Sequence, residues 1–170
     1  MAFWNAPRAQ AGHAEQACLA VLEMRAAAKA LSAEWVAAGK PAFRVRYGLN
    51  TGVAIVGNMG ATDKINYTMM GDNVNLASRL EGANKTYGTE AMLAEETWTQ
   101  AKDAVEAREL DLIKVKGKER PVRVFELLAA KGGLSPELAR AREGFGNGLK
   151  LYRDRRFAEA KSCFDALSST

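Results

Sequence analysis

Apolar positions recur at a helical spacing in the first quarter of the chain. Between residues 13 and 38 they fall three or four apart, at Ala17, Val21, Met24, Ala28, Leu31 and Trp35. This spacing predicts one long amphipathic helix that buries the stripe. Gly39, with Pro41 just beyond it, predicts where the helix ends.

Strand-like patterns follow. Residues 43–50 and 53–58 predict two strands that form a hairpin around a turn at Thr51 and Gly52. Residues 65–71 form a β-branched and aromatic run that ends at a glycine, which predicts another strand.

A second helix is predicted directly after that glycine and extends to Tyr87. Asp72 or Asn73 can cap its first turn. The spacing of three predicts a buried stripe on this helix, made of Val74, Ala77, Leu80 and Ala83.

Weaker patterns fill the rest of the first 130 residues. Residues 90–94 predict a short strand and residues 97–101 a short helix. Residues 109–114 and 122–128 predict a strand pair around the loop 116–121.

The tail changes character after a flexible break at residues 131–133. Ser135, followed by Pro136, predicts a helix start. Residues 138–152 and 157–167 predict two helices joined by a basic turn.

Composition narrows the class of protein. The chain has 170 residues, with 24 Lys and Arg against 20 Asp and Glu, a net charge of +4. This mild excess suits an anionic substrate such as a nucleotide, but it is equally common in ordinary soluble proteins. No aromatic and basic face accompanies the charge, so we expect no nucleic-acid partner.

The sequence predicts a cytoplasmic protein. It has no apolar run long enough to span a membrane and no visible signal peptide. Cys18 and Cys163 fall in helical patterns far apart, and we interpret both as free thiols.

His13, the only histidine, has no neighbours at ligand spacing and is interpreted as a surface residue.

Two groups of side chains could hold phosphorylated compounds. Asn75 and Arg79 lie four apart on the second helix, so they point the same way and could grip a phosphorylated sugar; they could equally be solvated helix positions. The loop that contains Lys116 and Lys118 could grip phosphate oxygens, or it could be a solvated hairpin turn. Gly57, Gly60 and Gly71 could suggest a phosphate-binding loop, but the order strand–glycine–strand lacks the helix start that such a loop needs, which argues against a Rossmann or P-loop site.

Four ordered motifs resemble the class III adenylate and guanylate cyclase catalytic domains. The signature segment is Tyr67-Thr68-Met69-Met70-Gly71-Asp72-Asn73-Val74-Asn75-Leu76-Ala77-Ser78-Arg79-Leu80-Glu81. Residues 1–7 resemble the run after the family's second metal-binding aspartate, and residues 45–60 resemble its central hairpin. Residues 115–118 resemble its phosphate-side lysine loop. The resemblance covers roughly residues 1–130.

The resemblance implies an α+β fold, a ferredoxin-like α/β sandwich of the nucleotide cyclase type. Residues 1–130 would be a partial catalytic domain, truncated at its N-terminus. The family has two strands and a helix before the segment that corresponds to the apolar run 1–4, and the sequence begins with that run. The strand edge left exposed could be covered by strand exchange, so we expect a homodimer. Residues 131–170 would form a helical hairpin, either tetratricopeptide-like or simply packed on the core.

The resemblance also implies a reaction. The family converts a nucleoside triphosphate, here ATP in preference to GTP, to the 3′,5′-cyclic monophosphate and pyrophosphate. Asn75 would orient the ribose, Arg79 would stabilise the transition-state phosphate, and Lys116 would hold the terminal phosphates, with Lys118 as a second candidate. Thr68 would hydrogen-bond the adenine edge.

Two Mg²⁺ or Mn²⁺ ions would complete the family's site, held by two aspartates upstream of the segments present here. Asp63 and Asp72 do not occupy those positions, and we assign no metal ligand. We therefore expect the chain alone to be inactive. The alternative is a non-catalytic regulatory or nucleotide-binding module with a cyclase-like fold.

Overall fold

The computed structural model describes residues 1–61, 63–114 and 121–168. These residues form an α+β fold, as predicted, and helices cover both faces of its main sheet. The helices are α1 (His13–Ala37), α2 (Asp72–Tyr87), α3 (Glu95–Ala101), α4 (Pro136–Arg153) and α5 (Phe157–Ser168). The strands are β1 (Tyr47–Leu49), β2 (Ile55–Ala61), β3 (Lys64–Met70), β4 (Ala91–Ala94), β5 (Val105–Ile113) and β6 (Val122–Ala130).

Four strands form the main sheet, in the order β1-β4-β6-β5. β1 is parallel to β4, whereas β4 and β5 both pair antiparallel with β6. β2 and β3 form a separate antiparallel ribbon that leads into α2. The core therefore lies on the main sheet, and the second strand of the ribbon leads directly into α2.

The core has two halves because side chains of β4 alternate between the two faces of the sheet. Leu93 joins a cluster that includes Cys18 and Val21 of α1. Met92 joins a second cluster that includes Leu76 and Leu80 of α2. Helices α1 and α2 thus cover opposite faces of one sheet.

The predicted hairpin around Thr51 and Gly52 is wrong. Residues 47–49 pair with β4, and residues 55–61 pair with β3, so the two predicted strands are not partners. Both segments are extended as predicted, but their ladders form with strands elsewhere in the chain.

The predicted buried stripe of α1 is correct only in its first half. Ala17 and Val21 are buried, but Met24, Leu31 and Trp35 are 42%, 47% and 40% exposed. A helix of 25 residues is about 37 Å long, whereas a strand of four residues spans about 13 Å. The end of α1 therefore extends past the sheet that covers its beginning.

The predicted cap and stripe of α2 also need correction. Asp72 is the first helical residue, the cap position belongs to Gly71, and no side chain caps the helix. The fully buried positions are Leu76, Leu80 and Asn84, whereas Val74, Ala77 and Ala83 are half-buried. The buried face of the helix is therefore rotated from the predicted one.

Residues 1–4 do not form the predicted strand, although Trp4 packs against the core. The remaining predicted strands and helices are present with shifted ends, including the two helices of the tail. Both cysteines are free, as predicted. No helix in the described ranges is long and apolar enough to cross a membrane.

Candidate functional site

The start of α2 is the structural centre of the candidate site. Gly71 joins β3 to the helix with a φ of 141°, in a region of backbone space that side chains rarely adopt. Its carbonyl oxygen accepts hydrogen bonds from the backbone N–H groups of Val74, at 3.1 Å, and Asn75, at 3.2 Å. This glycine lets the chain turn from the strand directly into the first helical turn.

Asn75 and Arg79 lie on one exposed face of α2. Four residues correspond to about 6 Å along the helix axis, so the two side chains stand one turn apart. Both residues are exposed to solvent. The structure thus brings together an amide and a guanidinium on a face that another molecule can approach.

Thr68 lies on β3, half-buried and directly opposite Gly57 in the ribbon. The side chains on either side of it in the chain, Tyr67 and Met69, point to the other face of the ribbon. There Tyr67 contacts the ring of Phe3, with 6.0 Å between ring centroids. Thr68 therefore faces away from the N-terminal segment and opposite a residue without a side chain.

Lys116 and Lys118 lie outside the described residues. The strands that flank their loop are described, and Ile113 pairs with Val122 at the end of the β5–β6 ladder. The assignment of these lysines to phosphate therefore remains a prediction.

A cavity of about 1150 Å³ lies on a different flank of α2. It is lined by the N-terminal segment, by β1 with the segment after it, and by one side of the helix, including Trp4, Tyr47, Val53, Met69 and Ala77. None of Thr68, Asn75 and Arg79 lines it. These three predicted nucleotide-binding residues thus do not belong to the wall of this cavity.

A polar cluster that the sequence did not predict holds the first turn of α2. The Asn73 side-chain amide donates a 2.9 Å hydrogen bond to the Val53 carbonyl oxygen. The Asn50 side-chain amide donates to both the backbone and side-chain oxygens of Asn73, each at 3.1 Å. Asparagine near a helix start normally suggests a cap, so no local pattern indicated these hydrogen bonds to residues 50 and 53.

A second unpredicted contact holds the far end of the same helix. Asn84 is fully buried, donates to the Tyr47 carbonyl oxygen at 2.9 Å and accepts from the Thr89 hydroxyl at 2.7 Å. The signal that could have found it is its spacing of four from Leu80, which places it on the buried face.

Two titratable side chains near the core have strongly raised pKa values. Burial, together with the hydrogen bond to Asp111 and the charge of that carboxylate, raises the pKa of Tyr87 to about 12. Burial and the nearby Glu15 carboxylate raise the pKa of the Cys18 thiol to about 12. Both groups are therefore neutral at physiological pH, and neither is a predicted site residue.

The described side chains offer no cluster of metal ligands. Within residues 1–61, 63–114 and 121–168, no three His, Cys, Asp or Glu side chains are grouped so that they could hold a metal ion. The described side chains thus do not fit a two-metal site.

Comparison with known sequences gives one family. The family model described as the adenylate and guanylate cyclase catalytic domain matches residues 1–128. Adenylate cyclase 1 of Rhizobium meliloti (strain 1021) is 43% identical over 127 residues, which are 75% of this chain and 19% of that protein. The chain thus spans about a fifth of the length of this curated relative.

Comparison with solved structures gives the same fold. The adenylyl cyclase CyaB from P. aeruginosa superposes with a TM-score of 0.68 at 35% identity, covering 76% of this chain and 67% of that one. The guanylate cyclase domain of RhGC from Catenaria anguillulae, solved in complex with GTP, superposes with a TM-score of 0.62 at 26% identity. That match covers 75% of this chain and 65% of the other.

Proposed function

This chain belongs to the family of adenylate and guanylate cyclase catalytic domains, and we propose that it supplies the ribose- and phosphate-binding half of a cyclase site. The observation that carries the proposal is the pairing of Asn75 with Arg79 on one exposed face of α2. A face that lies open, away from the large cavity, suits a site completed by a second polypeptide.

The proposed reaction joins the 3′-oxygen of a nucleoside triphosphate to its own α-phosphorus. The bond between the α-phosphorus and the bridging oxygen breaks, pyrophosphate leaves, and the proton of the 3′-hydroxyl passes to solvent or to a base on the second polypeptide. Negative charge grows on the phosphoryl oxygens in such a displacement, so a fixed guanidinium nearby lowers the barrier.

Each candidate residue has a separate task in this proposal. The Asn75 amide orients the ribose, and the Arg79 guanidinium stabilises the phosphoryl oxygens. The Thr68 hydroxyl hydrogen-bonds the edge of the base. Lys116, which lies between β5 and β6 in the sequence, holds the terminal phosphates.

We propose that the chain alone does not catalyse this reaction. The family resemblance implies two Mg²⁺ or Mn²⁺ ions, and the described residues offer no group of ligands for them. A homodimer of this chain would bring together two copies of the same Asn/Arg/Lys set. A second polypeptide with acidic ligands would make the site complete.

ATP is the proposed substrate. Adenylate cyclase 1 of Rhizobium meliloti is 43% identical to this chain. The relative from Catenaria anguillulae was solved with GTP but shares 26% identity. The Thr68 hydroxyl both donates and accepts hydrogen bonds, so it is compatible with either purine.

The second candidate function is a non-catalytic regulatory or nucleotide-binding module. The lack of a metal-holding group in the described part of the chain favours it. It differs from the first candidate in one measurable way, because it binds nucleotide without contributing to turnover in any assembly.

We also propose that residues 1–130 and 131–170 are distinct units. The tail helices α4 and α5 lie outside the segment that the family model matches. A tetratricopeptide-like role for this helix pair remains a prediction.

The proposal can be tested by complementation. The second polypeptide is the catalytic domain of the Rhizobium meliloti relative with alanine at the two positions that align with Asn75 and Arg79; we call it the tester domain. The initial rate of cyclic AMP formation is measured for the mixture with Mn²⁺ and ATP. Asn75→Ala and Arg79→Ala should each lower kcat by about a hundredfold, as expected for loss of transition-state stabilisation.

Lys85→Ala is the matched control, because Lys85 is an exposed residue of the same helix. This variant should keep the full rate. Equal rates for all three variants would contradict the assignment of Asn75 and Arg79. Nucleotide binding in a mixture that never turns over would favour the regulatory module.

A further inference from the structure

We propose that Asn73 is a positioning residue, which fixes the rotation of α2 about its axis and so presents Asn75 and Arg79 to the nucleotide. The proposal rests on the proposed function, because it concerns how that pair is held. Asn73 itself faces the segment between β1 and β2, away from the exposed pair.

The contacts of Asn73 use both ends of its side-chain amide. Its nitrogen donates a 2.9 Å hydrogen bond to the Val53 carbonyl oxygen. Its oxygen accepts a 3.1 Å hydrogen bond from the Asn50 amide, which also donates to the Asn73 backbone carbonyl at 3.1 Å. An amide that donates at one end and accepts at the other has one orientation that satisfies both partners.

Close packing against Gly52 limits movement of the Asn73 side chain. A Cβ atom placed on Gly52 would lie 2.4 Å from both the Cγ and Nδ2 atoms of Asn73. Cβ atoms essentially never approach other atoms that closely, so a side chain at position 52 would displace the Asn73 amide. The segment 50–53 therefore forms a close-fitting seat for the first turn of the helix.

The position of Asn73 determines the direction in which Asn75 and Arg79 point, because all three lie on the same helix. At about 100° per residue, Asn75 lies about 200° and Arg79 about 240° around the axis from Asn73. Holding Asn73 inward therefore turns the pair outward. A rotation of the helix about its axis would move both functional side chains together.

The first turn needs such a contact because it follows a conformationally permissive junction. Gly71 precedes it with a φ of 141°, and no side chain caps the helix. At the other end of α2, Asn84 already holds the helix to the Tyr47 carbonyl oxygen. Asn73 supplies the matching attachment at the end where Asn75 lies.

The first test is Asn73→Asp, which keeps the size of the side chain and the oxygen that accepts from Asn50. It replaces the donor nitrogen with an oxygen that faces the Val53 carbonyl. In the mixture with the tester domain we expect kcat to fall about tenfold, the size expected for losing the hydrogen bond to the Val53 carbonyl. KM for ATP should stay unchanged within about twofold. A merely structural role would reduce the amount of folded chain and leave kcat per folded chain unchanged, which would overturn the proposal.

The second test measures coupling between Asn50 and Asn73. Asn50→Ala and Asn73→Ala are made singly and together, with Lys85→Ala as the control on the same helix. If the two asparagines act as one attachment, the fall in kcat of the double variant should be smaller than the product of the two single falls. Multiplicative losses would overturn the proposal.

A third measurement needs no activity. Amide hydrogen exchange in residues 72–76 should be at least about tenfold faster in Asn73→Ala than in Lys85→Ala, because the first turn loses its attachment. Unchanged exchange would overturn the proposal. If Asn75→Ala and Arg79→Ala retained full activity, the proposed function would fail, and the exchange result would still decide whether Asn73 holds the first turn.

Discussion

The buried Asn84 side chain donates a 2.9 Å hydrogen bond to the backbone carbonyl oxygen of Tyr47 and thereby joins α2 to the edge strand β1. The same nitrogen also donates to the carbonyl oxygens of Leu80 and Glu81 within the helix, at 3.0 and 3.2 Å. The helix that carries the candidate site is thus attached to the sheet by a polar group in the core.

Replacing Asn84 with leucine should destabilise the chain by about 2–3 kcal/mol. Leucine has nearly the same size but leaves the Tyr47 carbonyl and the Thr89 hydroxyl without their partner, and buried groups without partners are costly. Urea unfolding followed by circular dichroism measures the change. Asn147→Leu, on the exposed surface of α4, is the control and should change stability by less than about 0.5 kcal/mol. Equal effects from both variants would contradict this role of Asn84.

Gly48→Ala should destabilise the chain by more than about 2 kcal/mol. A Cβ atom on Gly48 would lie 2.2 Å from the Ala77 carbonyl oxygen and 2.3 Å from the Glu81 backbone nitrogen, so α2 would have to move away from β1. Gly82→Ala is the control, because that glycine lies within α2 with nothing within 4 Å of an added Cβ. The control should stabilise the chain by up to about 1 kcal/mol in thermal unfolding. If both variants were stabilising, the contact between β1 and α2 would be looser than described.

Gly148→Ala should weaken the packing of the two tail helices. A Cβ atom there would lie 2.6 Å from the ring of Phe164, so α5 would have to shift. Gly146→Ala, two residues away with nothing within 4 Å of the added atom, should instead stabilise α4 by up to about 1 kcal/mol. Amide hydrogen exchange in α5 should become faster in the first variant only. Faster exchange in neither would show that the helix pair tolerates the extra carbon.

Acid should weaken the contact between the tail and β5. Burial alone would raise the pKa of Glu106, but the Gly132 N–H, the Arg142 guanidinium and the Lys131 ammonium together hold it below its ordinary value of 4.5. A carboxylate whose pKa is lower in the folded chain than in the unfolded chain stabilises the fold at pH values above its unfolded pKa. That stability is lost as the pH falls through 4.5 towards the lower value of the folded chain.

Glu106→Gln should therefore show a shallower loss of unfolding free energy than the unaltered chain below a pH of about 4.5. Unfolding by urea at several pH values measures this slope. Glu143→Gln replaces an exposed glutamate of α4 and should leave the slope unchanged. Parallel slopes for all three proteins would rule out Glu106 as a source of acid sensitivity.

Local patterns predicted much of the fold. The strand before Gly71 and the helix after it are present because both patterns are set by neighbouring residues. The side-by-side placement of Asn75 and Arg79 followed from the same helical spacing.

Long-range partners were not predictable in this way. Tyr47 pairs with Ala91, and Ile55 pairs with Met70, although residues 43–58 alone suggested that the two strands pair with each other. An extended pattern shows that a strand exists and not which strand it joins. The contacts of Asn73 with Asn50 and Gly52 were not predicted for the same reason, since these residues are brought together only by the fold.

The central claim is that this chain supplies one half of a cyclase site. The most direct measurement is the initial rate of cyclic AMP formation from ATP with Mn²⁺, for this chain, for the tester domain and for their mixture at equal concentrations. We predict a rate close to background for each protein alone and a rate at least about a hundredfold higher for the mixture. Robust cyclic AMP formation by this chain alone, or no gain in a mixture of two folded proteins, would contradict the claim.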